Sequence, residues 1–134
     1  MVDLMFEVTQ ILTSEGFKPE IQEDDSILFK YEGEMFIVFF DKQDPHAILL
    51  DSRIYSFDDE NEENIFRLAN KVNFKMKYAR IFILENFVYV RADVFFIHDY
   101  TKLKDTFLRM FRAVLVTRDE FIEKVLLSKN VSLN

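Results

Sequence analysis

Apolar residues recur at helical spacing in three stretches of this chain and crowd into shorter extended runs between them. Leu4, Val8, Ile11 and Leu12 share one side of a helix predicted over residues 3 to 15, with Asp3 placed to cap its start and Gly16 to end it. Phe17-Lys18-Pro19 then imposes an extended path, because the residue before a proline avoids the helical region. Ile27 to Tyr31 reads as a strand with Ile27, Phe29 and Tyr31 on one face. A two-residue Glu32-Gly33 connection, whose glycine supplies a positive φ, returns the chain as Glu34 to Phe40. Met35 to Phe40 is apolar on both faces, which predicts a central strand. A polar turn from Asp41 to Pro45 leads to a third strand, about Ala47 to Tyr55, and the three strands form a meander.

The acidic segment Ser56 to Glu63 opens a second helix, where the positive end of the helix dipole favours carboxylates. This helix runs to about Asn73, with Ile65, Leu68, Ala69 and Val72 on one side. Next come two strands, Tyr78 to Leu84 and Phe87 to Ile97, joined at Glu85-Asn86, with Asn86 suited to a left-handed turn position. Little in this hairpin is polar, so both of its faces should be covered, one by helices and the other by a second protein. In the second strand Val88, Val90, Ala92, Val94 and Phe96 make an aliphatic face that suits packing under helices. Opposite them, Phe87, Tyr89, Arg91, Asp93 and Phe95 form a mixed face. Aromatics and arginine are favoured at interfaces, so Phe87, Tyr89, Arg91 and Phe95 are the candidate partner-binding residues. Cover by the second helix is the competing reading of that face.

A last helical region begins near Asp99 or Thr101, with Leu103, Phe107, Met110, Phe111, Val114 and Leu115 in one stripe. Thr117-Arg118-Asp119-Glu120 has the form of a capping box that could start a separate helix. Phe121, Ile122, Val125 and Leu126 nevertheless stay in phase with the earlier stripe. One long helix, kinked near Thr117, competes with two.

Composition narrows the class. The 134 residues are enough for one domain with a proper core, and 16 Phe with 5 Tyr load it with aromatics. Only two Gly and two Pro leave little for long loops, so a mostly regular α+β structure is expected. Without cysteine there are no disulfides, thiolate nucleophiles or cysteine-based zinc sites. The acidic N-terminus lacks the pattern of a signal peptide, and the longest apolar run, Met35 to Phe40, is far too short for a membrane span. A cytoplasmic location with no membrane partner is expected. The net charge of −7 is uneven: residues 1–66 hold 17 acidic and 4 basic side chains, residues 67–134 hold 7 and 13, so the halves carry −13 and +6.

Candidate chemistry is sparse. Asp41, Asp44 and His46 could offer metal ligands, but Pro45 among them suits a surface turn better. Asp58 to Glu63 lacks the spacing and central glycine of a calcium loop. His98 beside Asp99 reads as a junction residue rather than a general base. Arg67, Lys71, Lys75, Lys77 and Arg80, interleaved with Phe74 and Tyr78, resemble a nucleic-acid patch, which the overall acidity argues against. Two glycines cannot build a phosphate-cradling loop. These readings leave no catalytic residue, metal or cofactor to assign, and no nucleic-acid partner.

The order helix, three strands, helix, two strands, helix resembles the YbjN-type domain, whose fold is similar to that of Tir and type III secretion chaperones. The likeness is carried by Leu68 to Asn73, by Lys77-Tyr78-Ala79, by Phe87 to Val94, and by Phe107, Met110, Phe111 and Phe121 on the last helix. It extends over nearly the whole of residues 1–134, read as a single domain, and is best over 65 to 125. It implies an antiparallel sheet, here of five strands in the order α-β-β-β-α-β-β-α, with helices packed on it and a tendency to form a homodimer. The expected function is that of a non-enzymatic interaction module, a chaperone-like adaptor or regulator binding a polypeptide through an aromatic sheet face. The alternative is a sensory domain holding a small apolar ligand between sheet and helices.

Overall fold

The first helix, α1 (Val2–Ser14), stops because Gly16 takes a φ of 92°. Its amide bonds the Thr13 carbonyl at 3.0 Å while that of Phe17 reaches back to Leu12 at 3.0 Å, the double closure that a left-handed residue makes possible. The computed structural model describes residues 2–95 and 100–133, with side chains described over 4–94 and 100–129. Asp3 lies inside α1 rather than at its cap, and its side chain is outside that range.

The extended path after Pro19 goes further than expected. Glu20–Ile21 forms a short strand, β1, antiparallel to β2 (Ile27–Tyr31). The turn between them is held by the Asp24 carboxylate, which accepts bonds from the Ser26 amide and hydroxyl at 3.1 and 2.6 Å. The sheet therefore has six strands, not five, and the order is α-β-β-β-β-α-β-β-α. β3 (Glu34–Phe40) and β4 (Ala47–Ser56) complete the meander, and β5 (Arg80–Leu84) and β6 (Phe87–Phe95) form the hairpin. In space the order is β1-β2-β3-β4-β6-β5, with every neighbouring pair antiparallel. β6 thus slots between β4 and β5.

Between β4 and the hairpin, a single 3₁₀ turn (Asp59–Asn61) leads into α2 (Glu62–Lys75). At the hairpin turn it is Glu85, with a φ of 56°, and not Asn86, that enters the left-handed region. Asn86 is engaged elsewhere: its carbonyl accepts the Phe57 amide and its side chain donates to the Asp59 carboxylate, both at 3.0 Å. The turn is thereby tied to the entry of α2.

The last helix, α3 (Leu103–Leu133), follows a 3₁₀ turn at Tyr100–Lys102 and runs unbroken through Thr117. The would-be capping box is used differently. Thr117 is fully buried, Arg118 donates to Glu34 at 3.1 Å and to Asp119 at 2.9 Å, and Glu120 accepts from Lys75 of α2 at 2.8 Å. These tertiary contacts remove any reason for the helix to restart there. The Lys75 and Lys124 ammonium groups hold the Glu120 carboxyl below its ordinary range.

One core serves all three helices. Leu4, Val8 and Leu12 of α1, Ile65, Leu68 and Val72 of α2, and Phe107, Val114 and Phe121 of α3 are buried with Val38, Leu50, Ile81, Val88 and Val90 of the sheet. Phe111 sits amid the rings of Phe17, Phe29, Tyr31 and Phe36, with centroids 5.2–5.7 Å away. Most of the described phenylalanines on the helix side thus serve as core, as their abundance suggested.

Thr117 breaks the apolar rule, because its buried hydroxyl has no hydrogen-bond partner. A stranded buried hydroxyl costs about 1–3 kcal/mol. Thr117→Val keeps the shape and removes that cost, so it should raise the free energy of unfolding by about 1 kcal/mol in urea titration. A loss of similar size would mean that the hydroxyl is bonded.

A candidate protein-interaction face

Alternation along the strands divides the sheet into two unlike faces. Val88, Val90 and Ala92 of β6 point to the helices and are buried, as are Ile48 and Leu50 of β4 and Ile81 of β5. The other face carries Leu28, Ile37, Phe39 and Leu49 towards one end and Phe82, Phe87 and Tyr89 towards the other. All seven are half-buried, and no helix among the described residues lies over them. α2, the competing cover for the mixed face, packs instead on the helix side through Ile65, Leu68, Ala69 and Val72.

At the centre of this open face an ion pair crosses from β4 to β6. Arg91 donates from Nε and one Nη to the two carboxylate oxygens of Asp51, both at 2.6 Å, in the fork-to-fork geometry that only arginine can supply. Asp51 is only 8% exposed, walled by Ile37 and Arg91 on the neighbouring strands. The same guanidinium lies over the ring of Phe82, 4.6 Å from its centroid. Phe82 in turn stacks on Tyr89 at 4.9 Å with an interplanar angle of 9°. Arg53 covers Phe87 at 4.5 Å in the same way, and Arg80 pairs with Asp93 at 2.8 Å. Phe82, Phe87 and Tyr89 are therefore each fixed by a cation or a second ring before any partner arrives.

Of the residues expected at the site, Phe87, Tyr89 and Arg91 share this face; Phe95 pairs with Ala47 at the end of β6, and its side chain is outside the described residues. Three contributors were missed. Phe82 follows from the hairpin register, since a two-residue turn after Leu84 sets it opposite Tyr89. Arg53 and Asp51 come from β4, forty residues away from Arg91 in the case of Asp51, and no local pattern marks that pairing.

The sheet edges are restricted. The Asn73 side chain accepts the Ile81 amide at 2.7 Å and donates to the Ile81 carbonyl at 3.0 Å, occupying the outer edge of β5 as a neighbouring strand would. The opposite edge, β1, has two residues. Strand addition therefore has little to pair with, and the face is the larger available surface.

The other candidates resolve into local structure. Asp41 and Asp44 accept bonds from the amides of Gln43 and His46 at 2.8 and 3.1 Å, turning their carboxylates back on their own loop. Among the described residues no three metal-ligating side chains cluster. In the basic stretch, Arg67 bonds Asn64, Lys75 pairs with Glu120 and Arg80 with Asp93. His98 and Asp99 lie outside the described residues. No helix among those described is long and apolar enough to cross a membrane.

Asp51→Asn would strand the Arg91 guanidinium against the sheet. Because Arg91 is partly exposed, the cost should be about 1–2 kcal/mol, below that of a fully buried pair. A double-mutant cycle with Arg91→Met, read by chemical denaturation, measures it; additive effects would show that the pair is not coupled.

Among curated proteins none matches the chain. Among the solved structures that share its fold are two of similar size. YbjN from E. coli superposes with a TM-score of 0.63 at 11% identity, over 96% of this chain and 93% of that one. A protein from Methanothermobacter thermautotrophicus gives a TM-score of 0.58 at 18% identity, over 90% and 97%. At such identities the likeness is one of fold alone. The sequence model of the YbjN family, described as “Putative bacterial sensory transduction regulator”, matches residues 7–127, nearly all of the α+β unit just described, and the chain belongs to that family.

Proposed function

We propose that this protein is a non-enzymatic interaction module, a regulator or chaperone-like adaptor that docks a polypeptide on its open sheet face. The observation that carries this reading is the stack Asp51–Arg91–Phe82–Tyr89, an apolar and aromatic surface that is rigid, uncovered and flanked by exposed charge. A rigid aromatic anchor loses little conformational freedom on binding, and a desolvated centre with a charged rim is the usual anatomy of a protein interface.

The mechanism is apolar docking with charge setting the orientation. Some of the charge difference between the two halves of the sequence is consumed inside the fold, where Asp51 pairs with Arg91 and Glu34 with Arg118. Arg53, Arg80 and Asp93 stay at the surface around the aromatic centre and would select a partner's register. A second copy of the chain is the simplest occupant, and a homodimer through this face fits the family resemblance. A cytoplasmic setting follows from the same reading.

Phe82→Glu and Tyr89→Glu change half-exposed side chains outside the core, so each variant should stay folded, within about 1–2 kcal/mol of the parent. Native mass spectrometry of the parent at low micromolar concentration should show a dimer, and both variants a monomer. A parent that is monomeric and captures no polypeptide, or variants that associate as the parent does, would overturn the assignment.

A further inference from the structure

A second concave feature lies away from this face, where the start of α3 passes the α2–β5 connection and the end of β6. It is an open groove of about 610 Å³, within the range of small-molecule sites. Met110, Ala113 and Val116 form its floor as a helical stripe on α3, and Met76 and Val94 line the opposite wall. A closed apolar pocket between sheet and helices would need no charge, yet Lys77, Arg109 and Arg112 border this one.

The charge is the informative part. Arg109 and Arg112 are three residues apart on one helix and so are surface neighbours whose like charges repel. Further along the same helix two cations are satisfied, since Arg118 binds Glu34 and Asp119 and Lys124 binds Glu120, whereas Lys104 at its start, like Arg109 and Arg112, has no ion pair among the described residues. Among the described residues no carboxylate pairs with Arg109, Arg112 or Lys77, although the chain carries a surplus of acid. Asp93, which lines the groove, is held by Arg80.

Tyr78 adds an independent observation. It lines the groove with a φ of 73°, a conformation that an aromatic residue rarely adopts, and the residue is 85% exposed. Strain of this kind persists where it places a side chain for use.

The geometry points to a binding site for an amphipathic anion: a carboxylate or phosphate monoester held by Arg109, Arg112 and Lys77, with an aliphatic chain lying on Met76, Met110 and Val116 under the Tyr78 ring. The site shares only Asp93 with the charged rim of the open sheet face and none of its aromatic residues, so either assignment can fail without the other.

Titration of the full chain with decanoate, followed by amide NMR, tests it. Decanoate should shift amides of residues 76–78, 93–94 and 106–116, and decanol should bind at least about tenfold more weakly, since it lacks the charge that arginine recognises. Decyl phosphate against decanoate separates the two head groups. The exposed pair Arg109→Gln/Arg112→Gln should lower decanoate affinity about tenfold or more with an unchanged melting temperature. Tyr78→Gly should weaken binding several-fold without lowering the melting temperature, because glycine accepts the positive φ. Tyr89→Glu on the sheet face should leave decanoate binding as it was. Equal binding of decanol, shifts centred on the sheet face, or an unaffected arginine double variant would each overturn the site.

Discussion

Among the described residues the three helices rest on one face of the sheet, so the opposite face must hold its apolar side chains in order without a layer above them. That one-sidedness governs the rest of the molecule. On the covered side the solution is conventional packing, with Phe111 amid four other aromatic rings and Phe121 against Tyr55. On the open side the solution is electrostatic as well as apolar. Asp51 fixes Arg91, Arg91 covers Phe82, and Phe82 stacks on Tyr89. A carboxylate in such a setting carries a desolvation cost that its bidentate partner offsets, and the residual benefit is conformational definition as much as stability.

The two sheet edges explain why a face, and not an edge, is the candidate for recognition. Asn73 presents an amide to Ile81 much as a further strand would, so the edge of β5 is blocked at that residue from within the chain. β1 is too short to template a partner strand. A polar side chain thus interrupts the edge while aromatic ones are left available on the face.

Much of this was legible from residue spacing. The aliphatic face of β6, the meander and the Gly16 stop all rest on local alternation or a single φ requirement, and local rules read them correctly. Phe82 was within reach, because the hairpin register alone puts it opposite Tyr89. What was not legible depends on long-range contacts. The two residues of β1 are too few to show a period, and Asp51 meets Arg91 only because β6 inserts beside β4. Thr117 to Glu120 looked like a helix start, but Glu34 and Lys75 take up Arg118 and Glu120, and burial takes up Thr117. Glu85 accepts the left-handed position because Asn86 is held by Phe57 and Asp59.

Hydroxyl-radical footprinting across a concentration series tests the central claim most directly, since it reads each aromatic ring in the unaltered protein. As the chain associates, Phe82, Phe87 and Tyr89 should lose reactivity while Phe74, 94% exposed at the end of α2, stays fully labelled. Protection of Phe74 with unchanged labelling of the sheet aromatics would contradict the account, because contact would then lie at the helix end and the open face would be solvated surface.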